Sequence, residues 1–358
     1  MLTAGIIYAA TFAIAVIVAA SVTPLVLKLA MRLGVVHQAK EPRHIHAVPT
    51  PRIGGIAVFL GFVVALFAVL GLALASPYML APSSAHASAS QRLALLATQF
   101  DSVHKLVGLL FGGLLILGVG IWDDLMGMRP RNKFIAQALV ALISMLYGFV
   151  IPGITNPFDH NPNTNWIDFP PWLGIPVTLI WYVGMMNAIN FLDGLDGLLA
   201  GFAAISSLFM FAIFVQHASI VVAIVVVALA GAALGFLPYN FNPARIFLGD
   251  AGSLFIGYVF ATVSIIGTSK IAIAISVLVP LVILALPVLD TAVVIVRRGI
   301  TGQAITQADR GHFHHHLVYT FGLNVRQAVL LIYALCFVLG MVALYVSGGL
   351  THVFRHVN

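Results

Sequence analysis

The sequence predicts an all-α polytopic membrane protein of about ten transmembrane helices, with both termini outside and an active site on the cytoplasmic face. Three observations carry this. The chain of 358 residues is 61% hydrophobic and only 8% charged, with a mean hydropathy of +1.07, whereas a soluble domain carries roughly 25% charge. Apolar runs long enough to cross a bilayer recur from end to end, and basic residues collect in alternate loops. The same composition excludes disorder, and Cys336 has no partner for a disulfide scaffold. A net charge of +6 would suit a nucleic-acid binder, but these basic residues are scattered through apolar sequence, so no nucleic acid is expected.

A helical span needs about 20 apolar residues. The expected spans are 4–27, 53–75, 106–122, 134–151, 172–189, 198–216, 219–237, 251–269, 271–294 and 328–348. The first lacks a basic segment before its apolar run, and Lys28 and Arg32 follow it, so it is expected to be retained rather than cleaved. Alternate numbering of the loops puts Lys28, Arg32, Lys40, Arg43, Arg52, Arg129, Arg131, Lys133, Arg245, Arg297, Arg298, Arg310 and Arg326 on one side. Only Arg92, Lys105, Lys270 and Arg355 fall on the other. The positive-inside rule then fixes the orientation. Two outside loops, SPYMLAPSSAHASAS and ITNPFDHNPNTNWIDFPP, read as connectors rich in small and turn-forming residues. No linker divides the chain, so 1–358 is one integral membrane domain, with 297–327 a cytoplasmic His/Arg loop over the site.

Of 11 acidic residues, Glu41, Asp123, Asp124, Asp193, Asp196, Asp250, Asp290 and Asp309 fall at the cytoplasmic side. A charge in a span costs about 3 kcal/mol on insertion scales, so such residues usually face a bundle interior and act there. Any one of them could instead be a helix cap or a partner for Arg. Five lie in three Gly-rich segments. GIWDDLMGMRPRNKF pairs Asp123 with Asp124 ahead of Lys133; adjacent carboxylates repel unless a cation intervenes. In NAINFLDGLDGLLAG, Asn187, Asn190, Asp193 and Asp196 recur every three residues, near one helical face. In YNFNPARIFLGDAGSLFIG, Asp250 opens a span, where free backbone N–H groups are offered to an anion. All-oxygen donors beside Arg and Lys suit a Mg²⁺-bound diphosphate. The cluster His312, His314, His315 and His316 in DRGHFHHHL leaves Zn²⁺ as an alternative to phosphate or sugar hydrogen bonding, though with no i, i+4 pair supported by a Glu as in a metalloprotease.

These motifs, in this order on one membrane face, resemble the polyprenyl-phosphate N-acetylhexosamine-1-phosphate transferases. Thr50, Pro51, Arg52, Ile53, Gly54 and Gly55 resemble that family's PRxGG segment; WDDLMG with Lys133, NAINFLDGLDGLLAG and FLGDAGS resemble its other signatures. The resemblance implies transfer of a sugar 1-phosphate from a UDP-N-acetylhexosamine to polyprenyl phosphate, releasing UMP, with Mg²⁺ as cofactor and Mn²⁺ as a substitute. It implies Asp250 and Asn190 as metal ligands. Asp196 and Phe247 would hold uracil, with Asn187 beside them. Asp123, Asp124, Asp193 and Lys133 would be catalytic, the Asp pair and Lys133 at the lipid phosphate. Arg52, Arg310, His312, His314 and His315 would take the diphosphate and sugar. DRGHFHHHL resembles the UDP-GlcNAc branch and departs from it at Phe313 and His316, leaving a phospho-MurNAc-pentapeptide transferase as an alternative. Outside the family, an ion-coupled transporter is the rival, although no Asp motif repeats between the halves. The expected setting is the bacterial inner membrane, multi-pass, with a homodimer left open.

Overall fold

A computed structural model describes residues 2–32, 34, 50–75, 89–156, 166–216, 219–266 and 322–347. In chain order these form helices α1 (Leu2–Arg32), α2 (Gly55–Ala75), α3 (Ala89–Met126) and α4 (Pro130–Leu146). A short hairpin of β1 (Gly153–Thr155) and β2 (Trp166–Asp168) comes next. Helices α5 (Pro171–Leu192), α6 (Leu198–Gln216), α7 (Ile220–Asn240), α8 (Gly249–Ile266) and α9 (Val325–Val346) complete the described chain.

Seven of these helices are long and apolar enough to cross a membrane, and Gly55–Gly71 is a shorter apolar helix. With α4, they cover every expected span except 271–294, which lies outside the described residues, as does the His/Arg loop up to 321. Two expectations are corrected. Helix α3 begins at Ala89, ahead of its apolar span Val103–Met126, so the end of the presumed connector is helical. Its 38 residues extend about 57 Å at 1.5 Å per residue, well past a bilayer core. The second loop is more than a connector: Gly153 pairs with Asp168 and Thr155 with Trp166 in an antiparallel ladder.

Helix α8 is the hub. Every residue from 251 to 265 is buried, as expected for a helix that is apolar all round, and it packs on α2, α3, α5 and α7. Small residues let the backbones meet. A methyl group on Gly55 would lie 2.1 Å from the Gly252 nitrogen, and one on Gly120 would lie 2.4 Å from Ala251 Cα. Buried hydroxyls tie the hub to its neighbours: Tyr258 Oη lies 3.0 Å from Ser144 Oγ, and Tyr182 Oη 2.9 Å from Thr262 Oγ1. Far from water, such groups need internal partners. At one end of the bundle the segment before α2 runs beside the segment before α8. Phe247 N–H donates to the Pro51 carbonyl (2.8 Å), while Gly54 and Gly55 donate to Phe247 (2.9 Å) and Leu248 (2.8 Å). That end holds the close of α3, the start of α4, the close of α5 and the start of α8.

Candidate functional site

The chain turns sharply from α3 into α4: Gly127 takes φ +69°, which a side chain would resist, and Pro130 starts α4 at a position that needs no N–H donor. Asp123 Oδ1 accepts the Met128 N–H at 2.6 Å and so fastens this turn. The turn brings Lys133, in the first turn of α4, back over the last turn of α3. Lys133 Nζ lies 2.8 Å from Asp123 Oδ2 and 3.0 Å from Asp250 Oδ2. One ammonium therefore joins the paired-Asp segment to the segment that opens α8. The side chains of Lys133 and Asp123 are 16% and 10% exposed. Breaking a sheltered pair by removing one partner is far costlier than losing a surface pair, which is worth about 0–1 kcal/mol.

The third segment enters from α5. Asn190 Nδ2 donates to Asp250 Oδ1 and to Ser253 Oγ, the latter at 2.7 Å. With the amide nitrogen so used, the Asn190 carbonyl oxygen is the part left to face a cation. Asp193 follows at the C-terminal cap of α5, against the Gly249 backbone. Burial, then the charges of Asp250 and Asp124, raise its pKa to about 8, against the pull of Arg52.

Asp124 reaches across to the start of α8. Its two oxygens accept the N–H groups of Asp250 and Ala251, each at 2.9 Å. The expectation that the start of α8 offers free N–H groups to a substrate anion is corrected at these two positions, because a carboxylate of α3 already fills them. The fit is close: Gly249 has φ +73°, and a methyl there would lie 1.8 Å from the Arg52 carbonyl oxygen and 2.6 Å from Asp124 Oδ2.

Of the other expected residues, Asp196 is buried and anchors the chain that follows α7. Its Oδ2 accepts from Asn242 Nδ2 and Ala244 N–H, both at 3.0 Å, and so holds the loop that leads to Phe247. Phe247 is half-buried. Arg52 is exposed and acts on Asp124 and Asp193 by charge. Asn187 has both amide hydrogens committed, to Gln137 Oε1 (2.6 Å) and to the Val183 carbonyl (2.8 Å). Arg310, His312, His314 and His315 lie outside the described residues. Sequence reasoning passed over Gln137 and Ser253. A glutamine inside the apolar stretch FIAQALVAL, four residues after Lys133, was the available signal.

Four carboxylates thus converge on one ammonium and one guanidinium. Among the described residues no three His, Cys, Asp or Glu side chains already stand ready to hold a metal ion. The donors are nonetheless hard oxygens. That suits a cation held by one or two carboxylates and completed by substrate phosphate oxygens.

Comparison with known proteins identifies the family. Residues 106–268, from α3 through α8, match the family model described as Glycosyl transferase family 4. The chain is 31% identical over 343 residues to the "Probable undecaprenyl-phosphate N-acetylglucosaminyl 1-phosphate transferase" of Bacillus subtilis (strain 168), covering 94% of this chain and 84% of that one. It is 34% identical to the "Decaprenyl-phosphate N-acetylglucosaminephosphotransferase" of Mycobacterium tuberculosis (strain CDC 1551 / Oshkosh), over 85% of this chain and 74% of that one. A "Phospho-N-acetylmuramoyl-pentapeptide-transferase" of Geobacillus thermodenitrificans (strain NG80-2) is 31% identical over a shorter stretch, 64% of this chain and 70% of that one. With its signature segments gathered at one end of the bundle and the likeness running nearly the whole length, the chain belongs to the polyprenyl-phosphate sugar-1-phosphate transferases of glycosyl transferase family 4.

Proposed function

We propose that this chain transfers N-acetylglucosamine 1-phosphate from UDP-GlcNAc to undecaprenyl phosphate, releasing UMP, as the first membrane step of a cell-envelope glycan. The observation that carries the reading is the Lys133 ammonium shared between Asp123 and Asp250. It draws together the segments that a diphosphate donor and a phosphate acceptor both require. For the sugar, the two N-acetylglucosamine relatives match over more of this chain than the Geobacillus pentapeptide transferase does, and DRGHFHHHL favours the same branch. The setting is the bacterial cytoplasmic membrane, crossed ten times, with the site facing the cytoplasm, a reading supported by the sidedness of Lys and Arg.

In this reaction an oxygen of the lipid phosphate attacks the β-phosphorus of the nucleotide sugar, and the bond from that phosphorus to the bridging oxygen breaks as UMP departs. The second pKa of a phosphate monoester is roughly 6, so the nucleophile is already mostly dianionic at neutral pH and no strong general base is needed. What the protein supplies is position and countercharge. Lys133 and Arg52 bring positive charge to phosphates that would otherwise repel. Asp123 orients Lys133, and Asp124 holds the first turn of α8, so that Asp250 projects into the site. Asp250 and the Asn190 carbonyl would hold Mg²⁺, with Mn²⁺ as substitute and Asp193 close behind them. When bound, the ion neutralises diphosphate charge as a Lewis acid. Asp196 and Phe247 are assigned to the uracil, and Arg310, His312, His314 and His315 to the sugar and diphosphate. The lipid chain remains in the bilayer.

The test is incubation of the purified chain with undecaprenyl phosphate, Mg²⁺ and either UDP-GlcNAc or UDP-MurNAc-pentapeptide. UMP and a GlcNAc-diphosphate lipid are expected from the first donor alone, with all turnover lost in EDTA and restored by excess Mg²⁺. Turnover of the pentapeptide donor instead would move the chain to the other branch.

A further inference from the structure

One polar pair lies beneath the charged cluster and touches both helices that feed it. Gln137, in the second turn of α4, is 0% exposed although its neighbours are apolar. Its amide meets that of Asn187 on α5: Asn187 Nδ2 donates to Gln137 Oε1 at 2.6 Å, and Gln137 Nε2 lies 3.5 Å from Asn187 Oδ1. The second Asn187 hydrogen goes to the Val183 carbonyl at 2.8 Å. Asn187 therefore has no donor left for a nucleotide, and the pair faces inward.

The spacing gives this pair its meaning. Lys133 and Gln137 are four residues apart on α4, and Asn187 and Asn190 three apart on α5, so each couple shares a helical face. Asn190 and Lys133 both bind Asp250, while Gln137 and Asn187 bind each other one turn deeper. The two levels form successive rungs across α4 and α5. No side chain caps the start of α4. Apolar side chains tolerate axial sliding, whereas a hydrogen bond does not: sliding by one residue rise, about 1.5 Å, breaks an amide pair. The same slide would lift Lys133 off contacts of 2.8 and 3.0 Å.

We infer that Gln137 is a positioning residue for the transfer reaction: paired with Asn187, it fixes the axial register of α4 on α5 and so holds Lys133 between Asp123 and Asp250. This rests on the reading of that cluster as the transfer site. It assigns Asn187 to the same register pair instead of to the uracil side.

The experiment measures kcat and KM for UMP release from UDP-GlcNAc by the full chain, for wild type, Gln137→Asn, Gln137→Met, Asn187→Gln and the double exchange Gln137→Asn with Asn187→Gln. The double exchange keeps the summed side-chain length and restores an amide pair. The single variants should lower kcat by about tenfold or more, the scale of a slight misplacement of a reacting group. KM should hold and elution should remain monodisperse. The double exchange should recover most of the lost kcat even where a single variant fails to fold. Wild-type kcat in the folded single variants, no recovery in the double exchange, or a change confined to KM would each overturn the positioning role alone. A wild type that releases no UMP from any UDP-sugar would overturn the transfer reading and this inference with it.

Discussion

Replacing Asp124 by Asn tests whether this carboxylate acts by holding α8. Both Asp124 oxygens accept backbone N–H groups, those of Asp250 and Ala251, at 2.9 Å each. Asparagine offers one oxygen; its NH₂ would face the second N–H, donor against donor. The loss of a negative charge at a partly buried helix N-terminus costs about 1–2 kcal/mol. A stranded N–H costs about 1–3 kcal/mol. Together these give about 2–5 kcal/mol, and if the first turn of α8 shifts to escape that cost, turnover falls about 30- to 5,000-fold. The assay is UMP release by the purified chain, with kcat and KM resolved, beside a thermal melt in detergent. The expected result is a large fall in kcat, a lower melting temperature and a UDP-sugar KM within a few-fold of wild type. A variant that keeps its melting temperature while losing affinity for polyprenyl phosphate would refute the capping argument and return Asp124 to the lipid phosphate.

Three further outcomes are expected. The Asp193 carboxyl is raised from 3.8 to about 8 by burial and by Asp250 and Asp124. The folded chain keeps this proton between those values while the unfolded chain releases it, so metal-free stability falls as pH rises through that window. A bound cation takes the proton's place, so stabilisation by a fixed Mg²⁺ concentration should grow on going from acidic to alkaline buffer; a pH-independent shift would contradict this. Phe247→Ala should raise the UDP-sugar KM about tenfold or more, since stacking on a base contributes about 1–3 kcal/mol; an unchanged nucleotide-sugar KM with an altered lipid KM would remove Phe247 from the uracil site. In a chain with Cys336 replaced, a cysteine at Arg131 should be labelled only from the cytoplasm and one at Asn163 only from outside; the reverse pattern would overturn the orientation.

How far the sequence could be read depended on the range of the interaction. Helices announce themselves within about 20 residues of apolar chain, and the spacing of Asn187, Asn190 and Asp193 is a local pattern. The beginning of α3 was hidden because QRLALLATQFDSVHK mixes polar and apolar residues; hydropathy marks membrane crossing, while helicity continues through polar sequence once a long apolar segment nucleates it. The hairpin was hidden because its strands are three residues each. Asp124 was read as one of a reactive pair because nothing local separates it from Asp123. The distinction is made by α8, whose N–H groups arrive from 126 residues further along the chain. Gln137 likewise acquires its role only when Asn187 comes to face it.

The contacts of Gly55 and Gly120 with the start of α8 have a mechanical consequence. Where main chain lies against main chain, no rotamer intervenes, so the Asp124 carboxylate and the main chain of Asp250 are referenced directly to the backbone of three helices. Core substitutions that only repack side chains should leave their separation unchanged. Lys133 is different, because its charge sits at the end of a four-carbon arm with several rotatable bonds. The compliance of the site is therefore concentrated in its cation. The start of α8 is set by main chain, whereas the ammonium keeps its place through its ion pairs to Asp123 and Asp250.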